Sequence, residues 1–123
     1  MLRLILLDFI RKREEKQPLD EVISWVKANL HQQIRIEDMA EVAGLSGSHF
    51  RRLFRKRFNI SAIKYVRKLK VEAACRMLVR TRDPIKRISL HLGFDEVPHF
   101  HRTFKSVTGM TPSQYRKKMA PIG

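Results

Sequence analysis

The chain has 123 residues, 43% of them hydrophobic, and a formal net charge of +14, which allows one domain with a modest core. No stretch approaches the ~20 consecutive apolar residues that cross a bilayer. The single cysteine, Cys75, excludes an intrachain disulfide and a cysteine zinc cluster and fits a reducing compartment.

The charge is unevenly placed. Residues 1–42 hold seven Lys and Arg against eight Asp and Glu, whereas residues 43–123 hold nineteen against four. A positive field inside Phe-bearing helices points to a polyanion, nucleic acid before membrane. A purely solubilising excess is the alternative.

Residues 1–16 read as a helix, with Leu2, Ile5, Leu6, Phe9 and Ile10 on an apolar face ahead of a charged run. Arg3 and Asp8 interrupt it and no small-residue cleavage site follows, so it is not a secretory signal. The segment 1–17 either joins this domain to a missing sensing or dimerisation domain or packs back onto it. The domain proper is expected over residues 18–120. Pro18 opens the next helix, with Asp20 and Glu21 suited to its dipole. Leu19, Val22, Ile23, Val26 and Leu30 repeat at helical spacing to about residue 31, with Trp25 as a packing residue.

A helix-turn-helix is expected over about 36–58. Arg35 stands where a Ser or Thr cap belongs, a weak start partly offset by Glu37 and Asp38. Gly44 ends the first helix and Ser46 caps the second. Ser61 then caps a long helix over about 61–81, with Ile63, Val66, Leu69, Ala73, Ala74, Met77 and Leu78 inward. About 20 residues at ~1.5 Å each make a rod of roughly 30 Å, close to the ~34 Å between successive major grooves on one face of DNA. Asp83-Pro84 caps and starts a second helix-turn-helix over about 84–107, turned at Gly93-Phe94. Pro98 must sit in the first turn of its second helix. Thr111-Pro112 caps a final helix to about Lys118. With no strand-like alternation, the fold class is all-α.

The two units repeat each other. His49-Phe50-Arg51-Arg52-Leu53-Phe54-Arg55 returns fifty residues later as His99-Phe100-His101-Arg102-Thr103-Phe104-Lys105. In each copy two phenylalanines share one helix face and the basic residues point elsewhere. Upstream, residues 36–44 match 85–93, and downstream Asn59-Ile60-Ser61-Ala62 with Tyr65 matches Gly109-Met110-Thr111-Pro112 with Tyr115. A short amphipathic helix, a glycine, a few turn residues and a basic helix form the grammar of a helix-turn-helix, whose second helix enters a major groove.

Over about residues 19–118 the sequence resembles the two-helix-turn-helix DNA-binding domain of the AraC/XylS family of bacterial transcription regulators. The most specific matches are Ile88 to Phe94, Phe100 to Lys105, and Gly109-Met110-Thr111-Pro112-Ser113-Gln114-Tyr115-Arg116. The resemblance implies seven helices, a long central helix joining the units, binding to adjacent major grooves, activation of transcription, and RNA polymerase as a further contact. Carried over by position, the first reader directs Ser48, Arg51 and Arg52 at bases. The second directs Val97, His101 and Arg102, with Pro98 and His99 at its entrance. Arg offers two donors to guanine, and Ser or Val suits a thymine methyl. Arg55, Lys56, Lys105 and the main-chain N–H groups at Ser46 and Glu96 suit phosphates. The chain departs from the family pattern at Ser89 (usually Ala), at Asn59 (usually Gly) and at Val97-Pro98 (commonly polar). The family's usual sensing domain is absent from this sequence, so a small-molecule effector would act through a domain outside it.

No catalytic constellation is visible, and no cofactor is implied. His99 and His101, two apart on a helix, do not converge on a metal. A fused DNA-repair methyltransferase wants several cysteines. The competing reading is a non-specific architectural or RNA-associated protein using the same charge. As a regulator the protein is expected in the cytoplasm, on the nucleoid.

Overall fold

The computed structural model describes residues 18–120; the helix expected over residues 1–17 and the tail 121–123 lie outside them. The described residues form seven α-helices and no strand. Helix α1 covers residues 18–28, followed by α2 (Ile36–Ala43), α3 (Gly47–Phe58), α4 (Ala62–Arg80), α5 (Ile85–His91), α6 (Val97–Thr108) and α7 (Pro112–Met119). They fall into two compact units. The first holds α1 to α3; the second holds Asn29–Ile34 and everything described from Ile63 onward.

In the first unit the helical spacing of α1 buries Leu19, Val22 and Val26, while Ile23 is only half-buried. Helix α1 stops at residue 28, short of the expected 31, and residues 29–31 turn. From α2 come Ile36, Met39, Ala40 and Ala43, and from α3 Phe50 and Phe54, all buried. The start of α2 is closed in reverse: the Asp38 carboxylate accepts the main-chain N–H of Arg35 at 2.9 Å. Gly44 ends α2 at φ 68°. The Ser46 hydroxyl caps α3 by accepting the N–H of His49 at 3.2 Å. Asn59 closes α3 in the left-handed conformation, φ 57°, its N–H donating to Arg55 O.

The second unit is built round Val71, Ala74, Leu78, Ile88, Leu92, Phe94, Phe100 and Phe104. The repeat seen in the sequence is a repeat of packing. The rings of Phe50 and Phe54 lie 5.7 Å apart at 51°, and those of Phe100 and Phe104 5.8 Å apart at 54°.

Two expectations need correction. Asp83 does not cap α5: Pro84 itself is the cap residue, extended at ψ 144°. The main-chain N–H of Asp83 instead donates to the Thr81 hydroxyl at 3.2 Å. On α4, Ile63 and Leu69 are only half-buried. The buried line is Val66, Lys70, Ala74 and Leu78, an i, i+4 row with a lysine in it. Ser89 faces inward from α5. It is 0% exposed, and its hydroxyl has no hydrogen-bond partner.

At the far end, Thr111 and Gln114 cap each other's main-chain N–H groups at 3.2 and 3.0 Å, starting α7 behind Pro112. Arg116 Nε donates to Leu78 O at 3.1 Å. The Tyr115 ring stands edge-on to Phe104 at 5.6 Å, and its hydroxyl hydrogen-bonds Cys75, which raises the pKa of the phenol. Burial pushes the Cys75 thiol up.

Candidate nucleic-acid interface

Burial of Phe50 and Phe54 decides which residues of α3 face water. Ser48, Arg51, Arg52, Arg55 and Lys56 are all exposed. The arginines and Lys56 form no ion pair among the described residues, so their donors are available to a polyanion. Arg57 is turned away: it pairs with Asp20 of α1 at 2.5 Å and lies 4.9 Å from the Phe58 ring centroid. Ser46 is exposed at the start of α3, but its hydroxyl is committed to the cap. Its main-chain N–H and the first N–H groups of the helix carry the partial positive charge that attracts phosphate.

In α6, Phe100 and Phe104 play the same part, joined by Thr103 as a buried residue. Arg102 and Lys105 are exposed and His101 is half-buried, its ring near Phe100 at 6.1 Å. Val97 is half-buried, while Pro98, His99 and Glu96 are exposed. Pro98 falls in the first turn, where a missing N–H breaks no helical bond. The His99 ring sits edge-on to Phe94 at 5.3 Å. The second face thus offers fewer unencumbered donors than the first. The residues named from the sequence lie within each unit on the outer face of its second helix.

The turn before α6 has a physical requirement for glycine. Gly93 has φ +77°, and a Cβ there would stand 2.5 Å from the Gln32 carbonyl carbon. The residue that sequence reasoning missed lies beneath this turn. Lys70, 6% exposed, donates to Leu30 O at 3.0 Å, Gln32 O at 2.7 Å and Leu92 O at 2.5 Å. Burial lowers its pKa from 10.5 to about 8. In the sequence it sits in the run Arg67-Lys68-Leu69-Lys70, which reads as a solvated face. Its place four residues from Val66 and from Ala74 was the signal that it points inward.

No three His, Cys, Asp or Glu side chains are grouped to hold a metal among the described residues. No described helix is long and apolar enough to cross a membrane.

Residues 39–118 match the family model of a helix-turn-helix domain. An uncharacterized HTH-type transcriptional regulator of Bacillus subtilis, YbfP, is 34% identical over 104 residues, covering 85% of this chain and 35% of that protein. The HTH-type transcriptional activator AarP of Providencia stuartii is 29% identical over 112 residues, covering 89% of this chain and 83% of AarP. The chain thus spans about a third of YbfP but most of AarP. Among solved structures, an AraC-type transcriptional regulator from Chromobacterium violaceum superposes with a TM-score of 0.78 at 30% identity, covering 88% of this chain and 96% of that one. The DNA-binding domain of AdpA, a global transcriptional factor solved with a target DNA, gives 0.78 at 27% identity, covering 82% and 91%. With two helix-turn-helix units in one all-α chain and a family model matched over most of its length, the chain belongs to the AraC/XylS-type helix-turn-helix family.

Proposed function

We propose that the chain is a sequence-specific double-stranded DNA-binding transcription regulator. It sets α3 and α6 into adjacent major grooves and acts as an activator. The observation that carries this reading is the duplicated helix pair. In each copy two buried phenylalanines fix the helix so that Arg51 and Arg52, or Arg102, stay in solvent. DNA as the partner is supported by the likeness to the AdpA domain, solved with its target DNA. Activation is supported by the likeness to AarP, most of whose length this chain spans.

In this reading Ser48, Arg51 and Arg52 meet base edges in one half-site. Val97, Pro98, His101 and Arg102 meet them in the other. Arg55, Lys56, Lys105 and the main-chain N–H groups of Ser46 and Glu96 hold phosphates. RNA polymerase is the protein partner, any small-molecule effector acts through a separate domain, the protein works in the cytoplasm, and it carries no chemistry of its own.

Selection from random duplexes tests this. The selected site should bind at least ~10³-fold tighter than scrambled DNA. Its footprint should span about two turns, with two grooves contacted ~10 base pairs apart. A ratio near one would instead favour an architectural or RNA-associated binder.

A further inference from the structure

One buried charged side chain of the second unit has no part in that reading. The Lys70 ammonium has three N–H donors and three main-chain acceptors, the carbonyls of Leu30, Gln32 and Leu92, so it is fully satisfied. Its nitrogen also lies 5.6 Å from the centroid of the Phe94 ring. Burying a charge here is costly, but an apolar side chain in its place would leave all three carbonyls without a donor. What the charge adds is direction, because it fixes where three carbonyls must stand.

Two of those carbonyls belong to the segment Asn29–Ile34, which is part of the second unit. The third belongs to Leu92, the residue that closes α5. Gly93 follows at once, its α-carbon so close to Gln32 that no Cβ fits. Next comes Phe94, whose ring meets His99 at 5.3 Å and Phe100 at 5.2 Å in the first turns of α6. A short path therefore runs from the Lys70 ammonium through Leu92 and Phe94 to the start of α6.

Among the described residues the first unit has no counterpart. The main-chain bonds of the two turns are alike: Gly44 N to Glu41 O and Leu45 N to Ala40 O in one, Gly93 N to Leu90 O and Phe94 N to Ser89 O in the other. The buried polar residues among those described are Lys70, Ser89 and Thr103, none of them in the first unit.

We infer that Lys70 is a positioning residue for the second reading helix. Its clasp on three carbonyls sets the α5–α6 turn and, through Phe94, the placement of Val97, Pro98, His101 and Arg102. Base discrimination in the second half-site then depends on a side chain that touches no DNA. This rests on the DNA-reading role proposed above.

The test compares the wild-type chain with Lys70→Met, which keeps the length but has no donors, and Lys70→Arg, which keeps charge and donors. In the free protein, amide hydrogen exchange is followed at residues 93–97 and at residues 44–48. With DNA, affinities are measured for every single-base variant of a selected site. Lys70→Met should lower protection at residues 93–97 at least tenfold more than at residues 44–48. It should cut discrimination in the second half-site about tenfold and leave the first within twofold. Lys70→Arg should recover part of both losses. Equal losses in both half-sites, or unchanged protection at residues 93–97, would overturn the proposal by showing a general stability effect or none. Should Lys70→Met fail to fold, the wild-type ammonium decides. Its protons should exchange with water slowly enough to be seen by NMR at neutral pH, unlike those of the exposed lysines, and fast exchange would overturn the clasp. A wild-type chain with no site preference would sink the DNA reading instead, leaving the amide comparison to decide the clasp.

Discussion

The main-chain N–H of Phe94 donates to the carbonyl of Ser89 at 3.1 Å, yet the hydroxyl of the same serine, wholly buried, meets no acceptor. A hydroxyl taken from water without a partner costs roughly 1–3 kcal/mol. Replacing it by hydrogen removes that cost and opens a space smaller than a methyl group. Ser89→Ala should therefore stabilise the protein by about 1 kcal/mol in urea denaturation, without changing DNA affinity at saturating fold. An equal or lower midpoint would mean that the hydroxyl is satisfied in solution.

A second prediction concerns Asn59, a non-glycine residue at positive φ. The left-handed conformation costs most residues roughly 1–2 kcal/mol, and Asn tolerates it better through its short polar side chain. Asn59→Gly should leave stability unchanged or raise it by a few tenths, while Asn59→Ala should cost about 1 kcal/mol. If alanine proves as stable as asparagine, the end of α3 adopts another conformation in solution.

These two residues also mark how far the sequence could be read. Gly44, Ser46 and Asn59 declare the ends of their helices through their own chemistry, so those boundaries were legible. The outer faces of α3 and α6 were legible for a different reason: phenylalanines four apart leave no choice about which side is inward. Lys70 was not. Its three acceptors are main-chain carbonyls 40, 38 and 22 residues away, and a carbonyl leaves no trace in residue type. Pro84 was misread because a proline suits both the cap position and the first helical residue. Asp83 before it looked like a cap, although it pairs with Arg87 at 3.8 Å instead.

Lys70 gives a pH dependence whose sign can be worked out. Its pKa falls from 10.5 in the open chain to about 8 in the fold. Above pH 8 the folded protein has lost a proton that the unfolded chain still binds, so stability rises with pH there. Cys75 and Tyr115, with raised pKa values, act oppositely, but only as pH nears their ordinary values of 9.0 and 10.0. The window from about 8 to 9 therefore belongs to Lys70. Urea midpoints should climb through it in the wild-type chain; in Lys70→Arg, whose guanidinium does not titrate, they should stay level near pH 8 and fall slightly toward pH 9 as Cys75 begins to act. A wild-type midpoint that falls between pH 8 and 9 contradicts this.

The basic face makes a prediction about salt. If six phosphates are neutralised, log affinity should fall with log salt at a slope near −5. Arg55→Ala and Lys105→Ala should weaken cognate and random duplexes alike and flatten the slope by about one each. Arg52→Ala should cost roughly 1–3 kcal/mol on the cognate site and relax one base position. A slope shallower than about −2 would place most of these residues away from DNA.

The last prediction ranks the two readers. The first turn of a recognition helix lies deepest in the groove. In α3 that turn presents Ser48, exposed, with Arg51 and Arg52 exposed just beyond it. In α6 it presents Val97, which is half-buried, and Pro98, which has no N–H to give. His99 lies edge-on to Phe94, and His101 is half-buried. Of the residues proposed to read bases there, Arg102 is the exposed basic one. Directed hydrogen bonds discriminate bases more sharply than apolar contact with a thymine methyl. Substitutions in the half-site under α3 should therefore cost more than those under α6, by about 1 kcal/mol per key base pair. Affinities for every single-base variant of the selected site measure this directly. Equal or greater discrimination under α6 would reverse the ranking and assign that half-site to water-mediated contacts or to the shape of the duplex.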